Sequence, residues 1–324
     1  MATIFQVPKR MASFPAAVPV YKIADFPDSK TGTAYWLKRI EELSHGLGFS
    51  NVKPEFGREH VYNQDGPLLL RMYKASNSFL FFNRDLVGST VPGTNILGPK
   101  QAKLRAIELI KSQQLLCNGT GGNFQTFYAG PGYTVAQTAE VGEGQCGDWL
   151  VSDESEPYKT EIRAHFGYLI NGLPVFGPGA KTIISNVGEA LSEEIHFWKN
   201  PGEIVSEREI IAPDTAISRL CKENQFLKVM KLHKKHPGQS SGRFYDDVEL
   251  GYYATPPSNK QRFYIPVYKI RGTFESRIKL SNTKPNNQNQ EDDTFRYDFV
   301  HFVSAMHGDA EGFQMNDFKR QIIY

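Results

Sequence analysis

Short runs of β-branched and aromatic residues, cut at close intervals by turn chemistry, fill most of this sequence. Only three stretches carry apolar residues at helical spacing. The runs VPVYKI (18–23), PLLLRMYKA (67–75), SFLFFN (78–83), YTVAQTAEV (133–141), EIRAHFGYLI (161–170), AKTIISNV (180–187), EEIHFWKN (193–200), VELGYYA (248–254) and RFYIPVYKIRGTF (262–274) read as strands. Asn63-Gln64-Asp65-Gly66, Asn171-Gly172 and Pro178-Gly179 punctuate them. A helix is expected over 31–47, where Leu37, Ile40, Leu43 and Leu47 share one side. Two more, over 99–116 and 213–227, each open with a proline in the first turn. Single helices scattered among consecutive strands predict an α+β fold of antiparallel curved sheets, each helix packed on one face. VPVYKI at 18–23 returns as IPVYKI at 265–270. The echo predicts two related modules, one near each end, each copy an edge strand carrying proline.

With 40% apolar and 12% aromatic residues, the 324-residue chain holds enough apolar surface for a sizeable core, which excludes wholesale disorder. Thirty-seven basic against 35 acidic residues leave a formal charge of +2, too small a field for nucleic acid or an anionic membrane surface. No stretch approaches the roughly 20 apolar residues of a membrane-spanning helix. MATIFQVPKRMASFPAAVPVY, broken by prolines, has no signal-peptide core. A soluble protein without an export signal is expected, extracytoplasmic only if a leader has been removed. Cys117, Cys146 and Cys221 cannot build a disulfide framework.

Several motifs match a pattern and fail its context. GEGQCG (142–147) has the spacing of a dinucleotide fingerprint, but DWLVSDESEP does not continue it as a helix, so no nucleotide cofactor is expected. Gly238-Gln239-Ser240-Ser241-Gly242 lacks the apolar strand and helix of a nucleophile elbow and reads as a loop. His233 and His236 sit among Lys228, Lys231, Lys234 and Lys235, a poor setting for a metal ion. GQCGDW (144–149) resembles the nucleophile stretch of transglutaminase-like and papain-like cysteine enzymes. In that reading Cys146 is the nucleophile, His165 its base, and Asp148 or Asp153 the third member. The helix that should follow such a cysteine is missing.

The most distinctive stretch is HFGYLINGLPVFGPGAKTIISNVGEALSEEIHFWK (165–199): a strand, an Asn-Gly turn, Gly-Leu-Pro-Val-x-Gly, and two further strands ending in Trp. Asn171-Gly172 supply the positive φ of a tight hairpin, and Pro174 and Gly177 limit pairing at an edge. Together with Tyr168, Val175 and Gly188, these residues resemble the hairpin repeat of PepSY and thermolysin-type propeptide modules. The helices at 31–47 and 99–116, the start IIAPDTAISRL and the closing VELGYYATPPSNKQRFYIPVYKIRGTF resemble its neighbouring elements. The resemblance implies cystatin-like modules that act by binding, inhibiting or chaperoning a protease or sitting beside a regulatory partner. It brings no catalytic residues.

The expected organisation is a helix-plus-sheet module over 1–130, a propeptide-like module over 131–280, a polar linker (SNTKPNNQNQEDD, 281–293) and a segment over 294–324 that docks back. The first functional expectation is a non-enzymatic binding or regulatory protein, with a protein partner or a small apolar ligand, and no cofactor or metal. The alternative is an enzyme with a pocket on the concave sheet face, lined by His165, Tyr168, His196, Trp198, Tyr253 and Tyr264. Each of these six also reads as an ordinary half-buried strand residue.

Overall fold

The computed structural model describes residues 5–6, 14–25, 32–87, 96–113, 124–137, 140–143, 149–152, 156–222, 240–278 and 293–307. In chain order they form β1 (Phe5–Gln6), β2 (Ala17–Ile23), α1 (Thr33–Gly46), β3 (Glu55–Phe56), β4 (His60–Asp65), β5 (Leu68–Tyr73), β6 (Ser78–Asn83), α2 (Pro99–Ser112), β7 (Phe124–Ala136), β8 (Glu140–Glu143), β9 (Trp149–Ser152), β10 (Tyr158–Ile170), β11 (Leu173–Phe176), β12 (Lys181–Val187), β13 (Ala190–Phe197), β14 (Pro201–Glu209), α3 (Pro213–Lys222), β15 (Ser240–Tyr253), β16 (Phe263–Ile278) and β17 (Asp293–Ser304). Two compact units result, neither continuous in sequence. Unit 1 takes Met1–Lys22, Glu203–Tyr253 and Phe263–Tyr324; unit 2 takes Ile23–Gly202 and Ala254–Arg262.

In unit 2 the strand order is β11-β10-β12-β13-β6-β5-β4-β3, with β7 also paired along β10. These nine strands are antiparallel throughout. The turn at Asn171-Gly172 has φ of 50° and 76°, the left-handed pair that a two-residue hairpin needs, and it sets Ile170 opposite Leu173. Because side chains alternate across a strand, this sheet has two faces of separate composition. On one face Val61, Leu70, Met72, Phe79, Phe81, Ala164, Phe166 and Ile184 form a core with Trp36, Ile40 and Leu43 of α1 and Ala106 and Ile110 of α2. Helix α2 begins at Pro99, and the Gln101 side chain reaches back to accept from the Gly98 backbone N–H at 3.2 Å. Its alanines Ala102 and Ala106, one turn apart, are both buried.

In unit 1 the order is β14-β2-β16-β15, with β17 on β16 and β1 parallel to β15. Tyrosines fill much of its interior. Tyr252 stands edge-on to both Tyr21 and Tyr264, and its hydroxyl donates to the Pro19 carbonyl at 2.8 Å. Tyr268 donates to the Ile211 carbonyl at 2.7 Å. Burial pushes the Tyr268 hydroxyl up to about 12 and raises Tyr252 further.

The cystatin-like expectation is overturned. Among the described residues the chain is dominated by seventeen strands, with helices of 14, 14 and 10 residues, and the sheet is mixed through the parallel β1–β15 pair. Helices α1 and α2 share one nine-stranded sheet rather than each serving its own. The echo misled for a specific reason. The strands holding VPVYKI and IPVYKI, β2 and β16, are neighbours in one sheet, Tyr21 opposite Tyr264, not the cores of two modules. Nor is β16 an edge strand. Its residues 263–264 pair with β2 and 267–278 with β17, and Pro266 sits at the handover, where no donor toward either is required. The stretch read as a loop at 238–242 enters strand β15 at Ser240. The linker over 281–293 lies outside the described residues except Asp293, where β17 begins.

Candidate functional site

The six pocket candidates are divided between the two units. Tyr168, His196 and Trp198 come together in unit 2, whereas Tyr253 and Tyr264 belong to the interior of unit 1. His165 is on the opposite face of β10 from Tyr168, three positions away on a strand of period two. Cys146, Asp148 and Asp153 lie outside the described residues. Cys146 is followed by strand β9 rather than by a helix.

On the helix-covered face, cross-strand register brings His196 of β13 opposite Thr182 of β12 and Phe79 of β6. The Thr182 hydroxyl lies 2.8 Å from His196 Nδ1 and also meets the Tyr168 hydroxyl. Burial, helped by the Arg39 charge, drives His196 down to about 3, so the ring is neutral. The three groups form one hydrogen-bonded chain, His196 Nδ1 to the Thr182 hydroxyl to the Tyr168 hydroxyl. Tyr168 stacks on Trp198 with ring centroids 4.1 Å apart, and Phe79 lies 5.5 Å from the imidazole. At 1%, 6% and 4% exposure, Tyr168, His196 and Trp198 are spent on one another rather than offered to a substrate.

The other face carries neither α1 nor α2. Arg71, Leu80, Ile195, Ile183 and His165 form one row across five strands, and Leu69, Phe82, Glu193, Ser185 and Arg163 the next. Phe197, opposite Lys181, extends the apolar surface and meets Tyr73 at 5.8 Å. Most of these side chains are half-buried. The His165 ring rests over Gly132, where an added Cβ would stand 2.6 Å from Nε2; only glycine leaves that seat. Burial, then Arg163 and Lys181, hold His165 below its ordinary value. The charged margin is tied in pairs. Arg163 donates to Glu161 at 3.1 Å and lies 3.7 Å from Glu193. Glu161 also accepts from Thr134 at 2.7 Å and from Ser192, which a bulge in β13 leaves without a partner in β12. Burial raises the Glu193 carboxyl against the pull of Arg163.

Sequence reasoning missed these groups, and it missed Lys199. That ammonium, 0% exposed, donates to the Asn259 carbonyl at 2.9 Å, to Pro256 O and Gln261 Oε1 at 3.3 Å each, and to the Thr255 hydroxyl. The segment 254–262 wraps this one cation, a structural use of lysine. The available signal was the run Glu193-Glu194-Ile195-His196 in a strand: consecutive carboxylates must face opposite sides, so one of them enters the core.

No protein family matches this sequence, and no curated protein does. Among solved structures, the crystal structure of an uncharacterized protein from Eubacterium rectale ATCC 33656 is similar over 95% of this chain and 88% of its own, with 12% identity and a TM-score of 0.41.

Proposed function

We propose that this is a non-enzymatic binding protein whose partner sits on the helix-free face of the unit 2 sheet. The observation behind this reading is the make-up of that face. Leu69, Leu80, Phe82, Ile183, Ile195 and Phe197 make a contiguous apolar centre across four strands, with Arg71, Arg163, Lys181 and His165 around it. An apolar centre inside a polar rim is the anatomy of a binding surface. Two of the rim carboxylates are engaged by Arg163. Arg163 is thereby spent, and Arg71 and Lys181 remain as the cations of the rim, so the fitting occupant is a protein segment with apolar side chains and acidic groups placed toward those two. The functional class agrees with that implied by the propeptide resemblance.

The experiment uses bis-ANS, an apolar reporter, on the intact chain. Wild type is expected to bind it, and Phe82→Glu and Ile195→Glu to bind roughly tenfold more weakly, equivalent to about 1.4 kcal/mol each, with unchanged circular dichroism. Equal binding by wild type and both folded variants refutes the assignment.

A further inference from the structure

Glu194 is a carboxyl group with 0% exposure, set between Phe81 of β6 and Ile184 of β12 on the helix-covered face. One oxygen, Oε2, accepts from the Gln113 amide at the C-terminal end of α2, at 3.1 Å. The remaining atoms of this pair share a deficit. Glu194 Oε1 and Gln113 Oε1 are both buried, and neither has a hydrogen-bond partner. Both are acceptors, so no rotation of either group can satisfy them. The missing element is a donor, and a single proton on Glu194 supplies it. With the acid O–H donating to Gln113 Oε1 beside the existing bond from Gln113 Nε2, the pair would be two-way.

We infer that Glu194 and Gln113 form a proton-dependent latch that fastens the C-terminal end of α2 to the sheet, closed when Glu194 is neutral and weakened when it ionises.

The surroundings favour the neutral acid. Burial raises the Glu194 carboxyl to about 7, opposed by the Gln113 amide. Few charges face it. From β13 itself comes His196, held neutral. β6, β12 and β10 present Phe79, Phe81, Thr182, Ile184, Ala164 and the hydrogen-bonded Tyr168. The charged groups of α2, Lys100, Lys103, Arg105, Glu108 and Lys111, are exposed or half-exposed. On α1, Arg39 lies 3.6 Å from Glu42, and Lys38 and Glu42 are exposed. The sign follows from the raised value. In the unfolded chain the carboxyl ionises near 4.5, so the latch's contribution is complete below that pH and is lost as pH rises toward about 7.

Glu194→Gln is the test, because an amide makes the same two-way pair without titrating. Thermal unfolding of variant and wild type is compared buffer by buffer. Near pH 4.5 the melting temperatures should agree, and the variant's advantage should grow by several degrees up to pH 8. Hydrogen exchange over residues 107–113, compared at one pH so that intrinsic chemistry cancels, should slow in the variant at pH 8 and not at pH 5. A difference between the proteins that is the same at every pH overturns the inference. Should the variant fail to fold, infrared spectra of the wild type decide. A buried carboxylic-acid band that disappears with a midpoint near 7 supports the latch, and its absence at pH 5 overturns it.

Discussion

The two faces of the unit 2 sheet come from alternate residues of the same strands, yet they treat polar groups in opposite ways. Beneath the helices, Tyr168, Thr182 and His196 hydrogen-bond one another and the histidine is neutral. On the helix-free side, the half-buried guanidinium of Arg163 meets the buried carboxylates of Glu161 and Glu193. A partner of opposite charge decides the difference: the desolvated ring, with none beside it, gives up its proton, whereas the guanidinium keeps its charge and collects carboxylates. His165 and His196 stand on opposite faces by strand parity, and burial lowers both, the enclosed His196 ring to about 3.

The sharpest test of this contrast lies on β6, where neighbouring phenylalanines face opposite ways. Phe81→Ala should cost about 3–5 kcal/mol, the price of a large core cavity, and Phe82→Ala about 1 kcal/mol or less, since that ring is half-exposed. Urea midpoints measure both, and equal losses would mean that the faces are wrongly assigned. Next in size is Arg163→Met. It leaves Glu161 and Glu193 facing each other without their shared cation, at a cost of about 2–3 kcal/mol once partial exposure of the guanidinium is allowed for. The deficit should be greatest at neutral pH and shrink in acid, as the Glu193 carboxyl, raised by burial, takes up a proton. Gly172→Val forces a β-branched residue to φ near 76°, and about 1–2 kcal/mol should be lost; an unchanged midpoint would falsify the turn. Tyr168→Phe deletes one buried hydroxyl and should cost about 1 kcal/mol. The smallest expected effect is none at all. Cys146 should react slowly with iodoacetamide at pH 6, and His165→Ala should not change that rate. Fast, His165-dependent alkylation would turn the helix-free face from a binding surface into a catalytic one.

Local structure was legible wherever one residue pair or one period decides it. The Asn171-Gly172 hairpin, the three helix starts and strands such as SFLFFN needed no knowledge of the rest of the chain. Strand partnership was not legible, because it joins residues far apart: nothing local in VPVYKI states that its neighbour is its own echo some 240 positions on. Strand β14 (PGEIVSERE) escaped notice because most of its residues are exposed and it lacks the apolar alternation that marks a half-buried strand. For the candidate site, Tyr168, His196 and Trp198 stood in one group with His165, Tyr253 and Tyr264, and neither which of them meet nor how deeply they are buried was legible. The apolar centre of the helix-free face was hidden for a related reason. Leu80, Phe82, Ile183 and Ile195 lie in runs that read only as strands, and only the placement of α1 and α2 reveals which side of the sheet they occupy.

Glu194 and His196, two positions apart on one strand, make opposite contributions to the proton inventory of folding. Between pH 4.5 and 6.5 the unfolded chain carries one ionised and the other protonated, a negative and a positive charge; the folded chain carries both neutral. Folding therefore moves one proton from imidazole to carboxyl, with no net exchange with solvent from this pair. Their two contributions to the pH dependence of stability have opposite slopes and cancel across that window. The heat of folding contributed by these residues is consequently independent of the buffer chosen, although each alone would draw on the buffer's own ionisation enthalpy.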